Sequence, residues 1–185
     1  GGDSDVQGGA IYAEYSNFGN ITGDFIGNYA KSTSTASYRC GYGGAIYADY
    51  SSFGNITGDF IGNHAEGGGA HGGAIYSTRG GRLGDITGDF IGNYVEASSG
   101  YAVGGAISSS NDTNIYGDFI LNKATSKSSD AFAGAISFYN SPEVSIYSNF
   151  LNNSTVALNG TASGGALLYN GESSSYNNYG NLKIL

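Results

Sequence analysis

Four aspartates, Asp24, Asp59, Asp89 and Asp118, recur at one place in a repeated phrase and are the first candidates for chemistry. Two carboxylates converging across a cleft can hydrolyse a glycosidic bond, and a base beside neutralising cations can run a lyase reaction. Repetition argues against both, because catalysis needs a unique constellation and these positions are copies. Like charges stacked about 5 Å apart repel one another, so calcium is the cofactor such a column would attract. The nonapeptide Gly-Gly-x-Gly-x-Asp-x-U-x of calcium β-rolls is absent, and the expectation is a chain with no cofactor. His64 and His71 stand seven residues apart with no nucleophile pattern beside them. Arg39, Arg79 and Arg82 form no evident cluster, and Cys40 is the single cysteine, without a second thiol for a disulfide or a metal site. The reading is a non-enzyme with no catalytic residues.

Binding is the other chemistry open to these residues. Tyr12, Tyr47 and Tyr76 occupy equivalent places and read as an outward aromatic ladder, a platform for a sugar or a contact between fibres. The equivalent residues later in the chain are Ser108, Ser137 and Leu168, which would confine any such patch to the first half. The column Thr22, Thr57 and Thr87 gives way to Tyr116 and Tyr147 and is too short to match an ice lattice. Fifteen acidic residues against seven basic ones give a formal charge of −8, with no basic run to track a phosphate backbone, so nucleic acid is excluded as a partner.

All these positions are set by two interleaved signatures. The phrase Asn-Ile-Thr-Gly-Asp-Phe-Ile-Gly-Asn is found at Asn20–Asn28 and Asn55–Asn63, with variants at Asp85–Asn93, Asn114–Asn122 and Ser145–Asn153. Before each stands a Gly-Gly-Ala-Ile phrase, beginning at Gly8, Gly43, Gly72, Gly104 and Ala133, and a sixth begins at Gly164. The spacings of 35, 29, 32, 29 and 31 residues mark a solenoid whose repeats bury their apolar faces only by stacking.

Alternation in Ile56-Thr57-Gly58-Asp59-Phe60 has the period of a strand, and the 33 glycines forbid a helical reading. The predicted fold is therefore all-β, a parallel β-helix of about six coils of roughly 30 residues with three short strands per coil. A single domain over residues 1–185 has coils starting near 8, 43, 72, 104, 133 and 164, the last incomplete.

The inward columns are then Ile11, Ile46, Ile75, Ile107, Ile136 and Leu167; Ile21, Ile56, Ile86, Ile115, Ile146 and Leu182; and Phe25, Phe60, Phe90, Phe119 and Phe150. Gly23, Gly58, Gly88 and Gly117 are expected to point inward too and leave room for the phenyl rings. Asn28, Asn63, Asn93, Asn122 and Asn153 fall where the chain turns and read as an asparagine ladder, accepting left-handed angles and bonding the coils above and below. The variable tracts 31–42, 66–71, 97–103, 125–132 and 156–163 are expected to be surface loops at one corner.

No apolar run approaches the roughly 18–20 residues of a membrane helix. A chain without an initiating methionine reads as a mature or excised piece. Uncapped ends suggest that copies stack head to tail into a filament, or that the coils continue in a longer chain.

The pairing of Gly-Gly-Ala-[Ile/Leu/Val] with Phe-x-x-Asn, as in Gly43–Ile46 with Phe60–Asn63, resembles the repeats of the chlamydial-type polymorphic outer membrane proteins and, more broadly, the β-helical passengers of bacterial autotransporters. The resemblance covers nearly the whole chain, with Ala133 departing from the opening glycine. It implies a right-handed parallel β-helix, extracellular and displayed on a bacterial surface, serving as a stalk or adhesin for a host surface protein or glycan. Such proteins end in a membrane β-barrel, which this chain lacks, so no membrane insertion by this segment is expected. The other reading, from a different functional class, is a carbohydrate-active or carbohydrate-binding module, recognisable by a unique cleft of non-repeated carboxylates with Arg or Lys.

Overall fold

A computed structural model describes residues 4–80, 82–140, 143–170 and 181–184. Among them there is no helix, and every named strand pairs in parallel with its equivalent one coil away. The chain winds as a β-solenoid of about five turns of ~31 residues.

Five sheets run the length of the stack, numbered here in chain order. Sheet 1 starts with Val6–Gln7, Cys40–Tyr42 and Gly69–His71, sheet 2 with Ile11–Glu14, Ile46–Asp49 and Ile75–Thr78, and sheet 3 with Ile21–Thr22 and Ile56–Thr57. Sheet 4 starts with Phe25–Ile26 and Phe60–Ile61, sheet 5 with Tyr29–Lys31 and His64–Gly67, and Asn17–Phe18 pairs with Ser52–Phe53 as a further rung. The three strands per coil expected from the sequence become five or more because the chain bends so often that most are two to four residues long.

The bends have identifiable causes. Gly58, Gly88 and Gly117 adopt φ near +147°, a region closed to side chains, and separate sheet 3 from sheet 4. They do not point inward: a Cβ on Gly58 would lie 2.2 Å from the carbonyl oxygen of Gly23 in the neighbouring coil. Glycine is needed there for its backbone angle and for close stacking of coils, so room for the phenyl rings is not its role. The second bend lies one residue before each asparagine, at Gly27, Gly62 and Gly92, then Leu121 and Asn152, all with φ between +54° and +64°. The ladder asparagines themselves are not the left-handed residues.

The core has two parts. Isoleucine and phenylalanine columns fill the wide part, with Phe60, Phe90 and Phe119 fully buried and stacked at 4.7 Å, nearly parallel. Between sheets 5 and 1 the section narrows to a wedge of small residues, Ala65, Ala70, Ala97, Ala102, Ala124 and Ala131, with Val95. Close packing at this corner makes the tract Glu66–His71 almost all strand, where a surface loop was expected.

Register corrects one column. Ile146 pairs with Ile184, and Leu182 with Val144. Leu182 thus stands two residues from its expected column, a slip that preserves the face because strand positions alternate with period two. Residues 171–180, which precede this strand, lie outside the described residues.

Candidate functional site

The best-repeated polar residues are consumed by the scaffold. Asn93 donates its side-chain amide to Asn122 Oδ1 at 3.0 Å and to the Phe60 carbonyl at 2.8 Å, while its Oδ1 accepts from the backbone N–H and the amide of Asn63. The same pattern links Asn28 through to Asn153. Buried strand ends are satisfied in this way, as a buried backbone requires.

The aspartates do likewise. Asp24 Oδ1 accepts the backbone N–H of Asp59 at 2.9 Å, Asp59 that of Asp89, Asp89 that of Asp118, and Asp118 that of Asn149. Each carboxylate caps the next coil, which offsets the repulsion expected for the column. Among the described residues no group of three or more His, Cys, Asp or Glu side chains is placed to hold a metal ion.

The remaining candidates are dispersed. His64 lies on sheet 5, stacked between Tyr29 and Tyr94 at 5.3 and 4.6 Å, whereas His71 lies on sheet 1 against Tyr42 at 5.3 Å. Burial lowers both imidazole pKa values, that of His71 to about 4. Cys40 is buried, and burial raises its thiol pKa away from reactivity. Arg39 lies over Tyr38, and Arg79 pairs with the buried Asp49 of the preceding coil.

The tyrosine column stacks as expected, Tyr12 to Tyr47 at 5.3 Å and Tyr47 to Tyr76 at 5.7 Å. It is not an open platform, however: Tyr47 is only 4% exposed, since Tyr42 projects across it from sheet 1. The same desolvation raises its phenol pKa to about 12.

The open site begins where that column stops. Beyond Tyr76 the equivalent positions are Ser108 and Ser137, and their small side chains leave a groove of ≈ 570 Å³ on the outer faces of sheets 1 and 2. Phe132 and Val103 form its sheet 1 side, and Leu168 lies at the rung beyond Ser137. The groove extends from Tyr76 into the later coils, past the tyrosine column that the sequence offered as a patch. In sequence the two serines are the loss of a platform; in three dimensions they are the floor of a cavity.

A second cleft, ≈ 480 Å³, lies across coils near sheet 3 and is lined by Arg82, Asp85, Asp112 and Glu143 among others. Two of its carboxylates already have scaffold partners: Asp85 Oδ1 accepts from the Asn114 amide, and Asp112 Oδ1 from the Glu143 backbone N–H.

One family model matches the chain, that of the Chlamydia polymorphic membrane protein repeat, over residues 22–49. The matched stretch contains Phe25–Asn28 and Gly43–Ile46, one pair of the motifs whose equivalents recur along the solenoid. No curated protein and no solved structure matches.

Proposed function

We propose that this chain is a stretch of a bacterial cell-surface β-helix of the autotransporter-passenger kind, a non-enzymatic stalk or adhesin whose side faces bind. The observation that supports this reading is the likeness of residues 22–49 to a membrane-protein repeat, set in a stack of equivalent coils. The repeated Asn, Asp and Phe side chains serve coil-to-coil contacts, so binding falls to unrepeated features. Antibody labelling of intact source cells tests surface display; labelling that appears only after lysis would overturn it. Adhesion of beads carrying the purified chain to cultured host cells tests the adhesive role, and bare-bead levels would count against it.

End-to-end assembly belongs to the same reading. The outermost strands of the stack, among them Ile11–Glu14 and Leu167–Asn170, each have one ladder edge without a partner strand among the described residues. A neighbouring copy, or further coils of the same polypeptide, would pair with them. Filaments of coil-wide diameter are expected by electron microscopy of the purified chain; a monodisperse monomer at high concentration would sink self-stacking.

The carbohydrate-active reading is favoured by one observation, the cleft that gathers Arg82 with the non-repeated Asp112 and Glu143. Release of reducing ends or of unsaturated products from a polysaccharide panel, lost in Glu143→Gln, would establish it over the non-enzymatic reading.

A further inference from the structure

The groove floored by Ser108 and Ser137 has the chemistry of a ligand site. Both serines are largely covered by their neighbours, at 8% and 5% exposure, but their hydroxyls are not buried atoms: they open onto the groove and have no hydrogen-bond partner among the described residues. Hydroxyls that open onto the groove are free to donate to and accept from a bound molecule. They lie one strand spacing apart, about 4.8 Å, in the track where Tyr12, Tyr47 and Tyr76 stack in the preceding coils.

The surroundings define what that partner is. In a chain of net charge −8, none of the residues lining the groove is Asp, Glu, Lys or Arg. His71, at its edge, is held neutral by desolvation. The groove is therefore matched to an uncharged ligand. Tyr76 ends the aromatic column at the groove, Phe132 stands on one side, and Tyr101 and Tyr139, both more than half exposed, stand at the rim.

A peptide strand would need backbone partners, and beneath Ser108 and Ser137 there are none to offer; the open strand edge at Leu167–Asn170 lies at the far end of the groove. The sheet 2 strands under the groove are paired on both edges, Ile107–Ser109 with Ile75–Ser77 and with Ile136–Phe138. A pyranose presents an apolar C–H face to aromatic rings and a polar rim to hydroxyls, which is the pattern of this lining. The volume falls in the range of roughly 300–1,000 Å³ typical of small-ligand sites.

We propose that this groove binds a neutral saccharide, one or two pyranose units long, with a ring stacked beyond Tyr76 and its hydroxyls bonded to Ser108 and Ser137. The proposal rests on the reading of the chain as a binding surface and names the ligand class of one face.

The test uses the purified chain on an array of neutral and sialylated oligosaccharides, followed by titration of the best neutral oligosaccharide with tyrosine fluorescence as the readout. Ser108→Tyr and Ser137→Tyr rebuild the column with the residue the earlier coils carry there, so both should fold. Each should weaken binding by about tenfold or more, while Tyr116→Ser on sheet 3 leaves it unchanged. Binding to no neutral glycan, selection of charged glycans only, or neutral-glycan binding indifferent to both serine substitutions would each overturn the proposal. Surface labelling of intact cells is scored separately, so failure of the groove and failure of the cell-surface reading are told apart.

Discussion

Asn93 shows how much a single side chain carries in this fold. Its replacement by leucine strands the Phe60 carbonyl and the Asn63 backbone N–H in a buried column. Two unpaired buried groups should cost about 2–5 kcal/mol, read as a lowered urea midpoint. Asn159, whose amide makes an exposed bond to the Lys127 carbonyl, should tolerate alanine within about 0.5 kcal/mol. His71 yields a pH prediction. Its folded pKa, about 4, lies below the unfolded value near 6.5, so the unfolded chain binds the proton more readily. Stability is therefore full above pH 6.5 and falls as pH drops toward 4, by at most about 1.4 kcal/mol per pH unit from this group. Tyr42 and Tyr76 are the titratable groups whose rings contact it, and their phenol pKa values are raised, so they stay neutral across that window. His71→Val, which copies Val103 from the next rung, should flatten the acid limb of a chemical-denaturation series.

At the level of the elements, two glycines of one phrase behave differently although the sequence treats them alike. Gly58 at φ +146° faces the Gly23 carbonyl, so alanine there collides with backbone that cannot move aside. Gly62 at φ +61° has nothing within 4 Å of a built Cβ, so alanine meets only the left-handed penalty of about 1–2 kcal/mol. Leu121 and Asn152 already occupy the Gly62 position in later coils. The expected order of melting temperature is wild type, then Gly62→Asn, then Gly62→Ala, with Gly58→Ala lowest. Alternation and turn residues revealed strands and bends, but not which glycine served an angle and which a contact. That difference is made by the neighbouring coil, about thirty residues away in sequence.

Across the whole molecule, stability is a sum over coils and the contacts between adjacent ones. Deleting residues 43–71 removes one period and joins Tyr42 to Gly72, which have equivalent neighbours in the stack. The shortened chain should keep its β-sheet circular dichroism and unfold with a denaturant m-value lower by about one coil's share. Loss of all ordered signal would contradict the additive picture. The same quasi-linear build explains why the asparagine and phenylalanine ladders were legible beforehand: like residues at a fixed period must stack when the backbone repeats.

From the sequence alone came the all-β solenoid, its period, and the Ile, Phe and Asn columns, because each is a property of the period itself. Tertiary structure decided the properties that depend on what lies beside a column. It turned the aspartates into backbone caps, covered Tyr47 with Tyr42, divided each coil into at least five strands, and opened a cavity at Ser108 and Ser137. A serine in place of a tyrosine reads in sequence as a motif lost. Its meaning as a cavity follows from tyrosine stacked on one side and the wall of the neighbouring sheet on the other, and that arrangement exists only once the chain has wound.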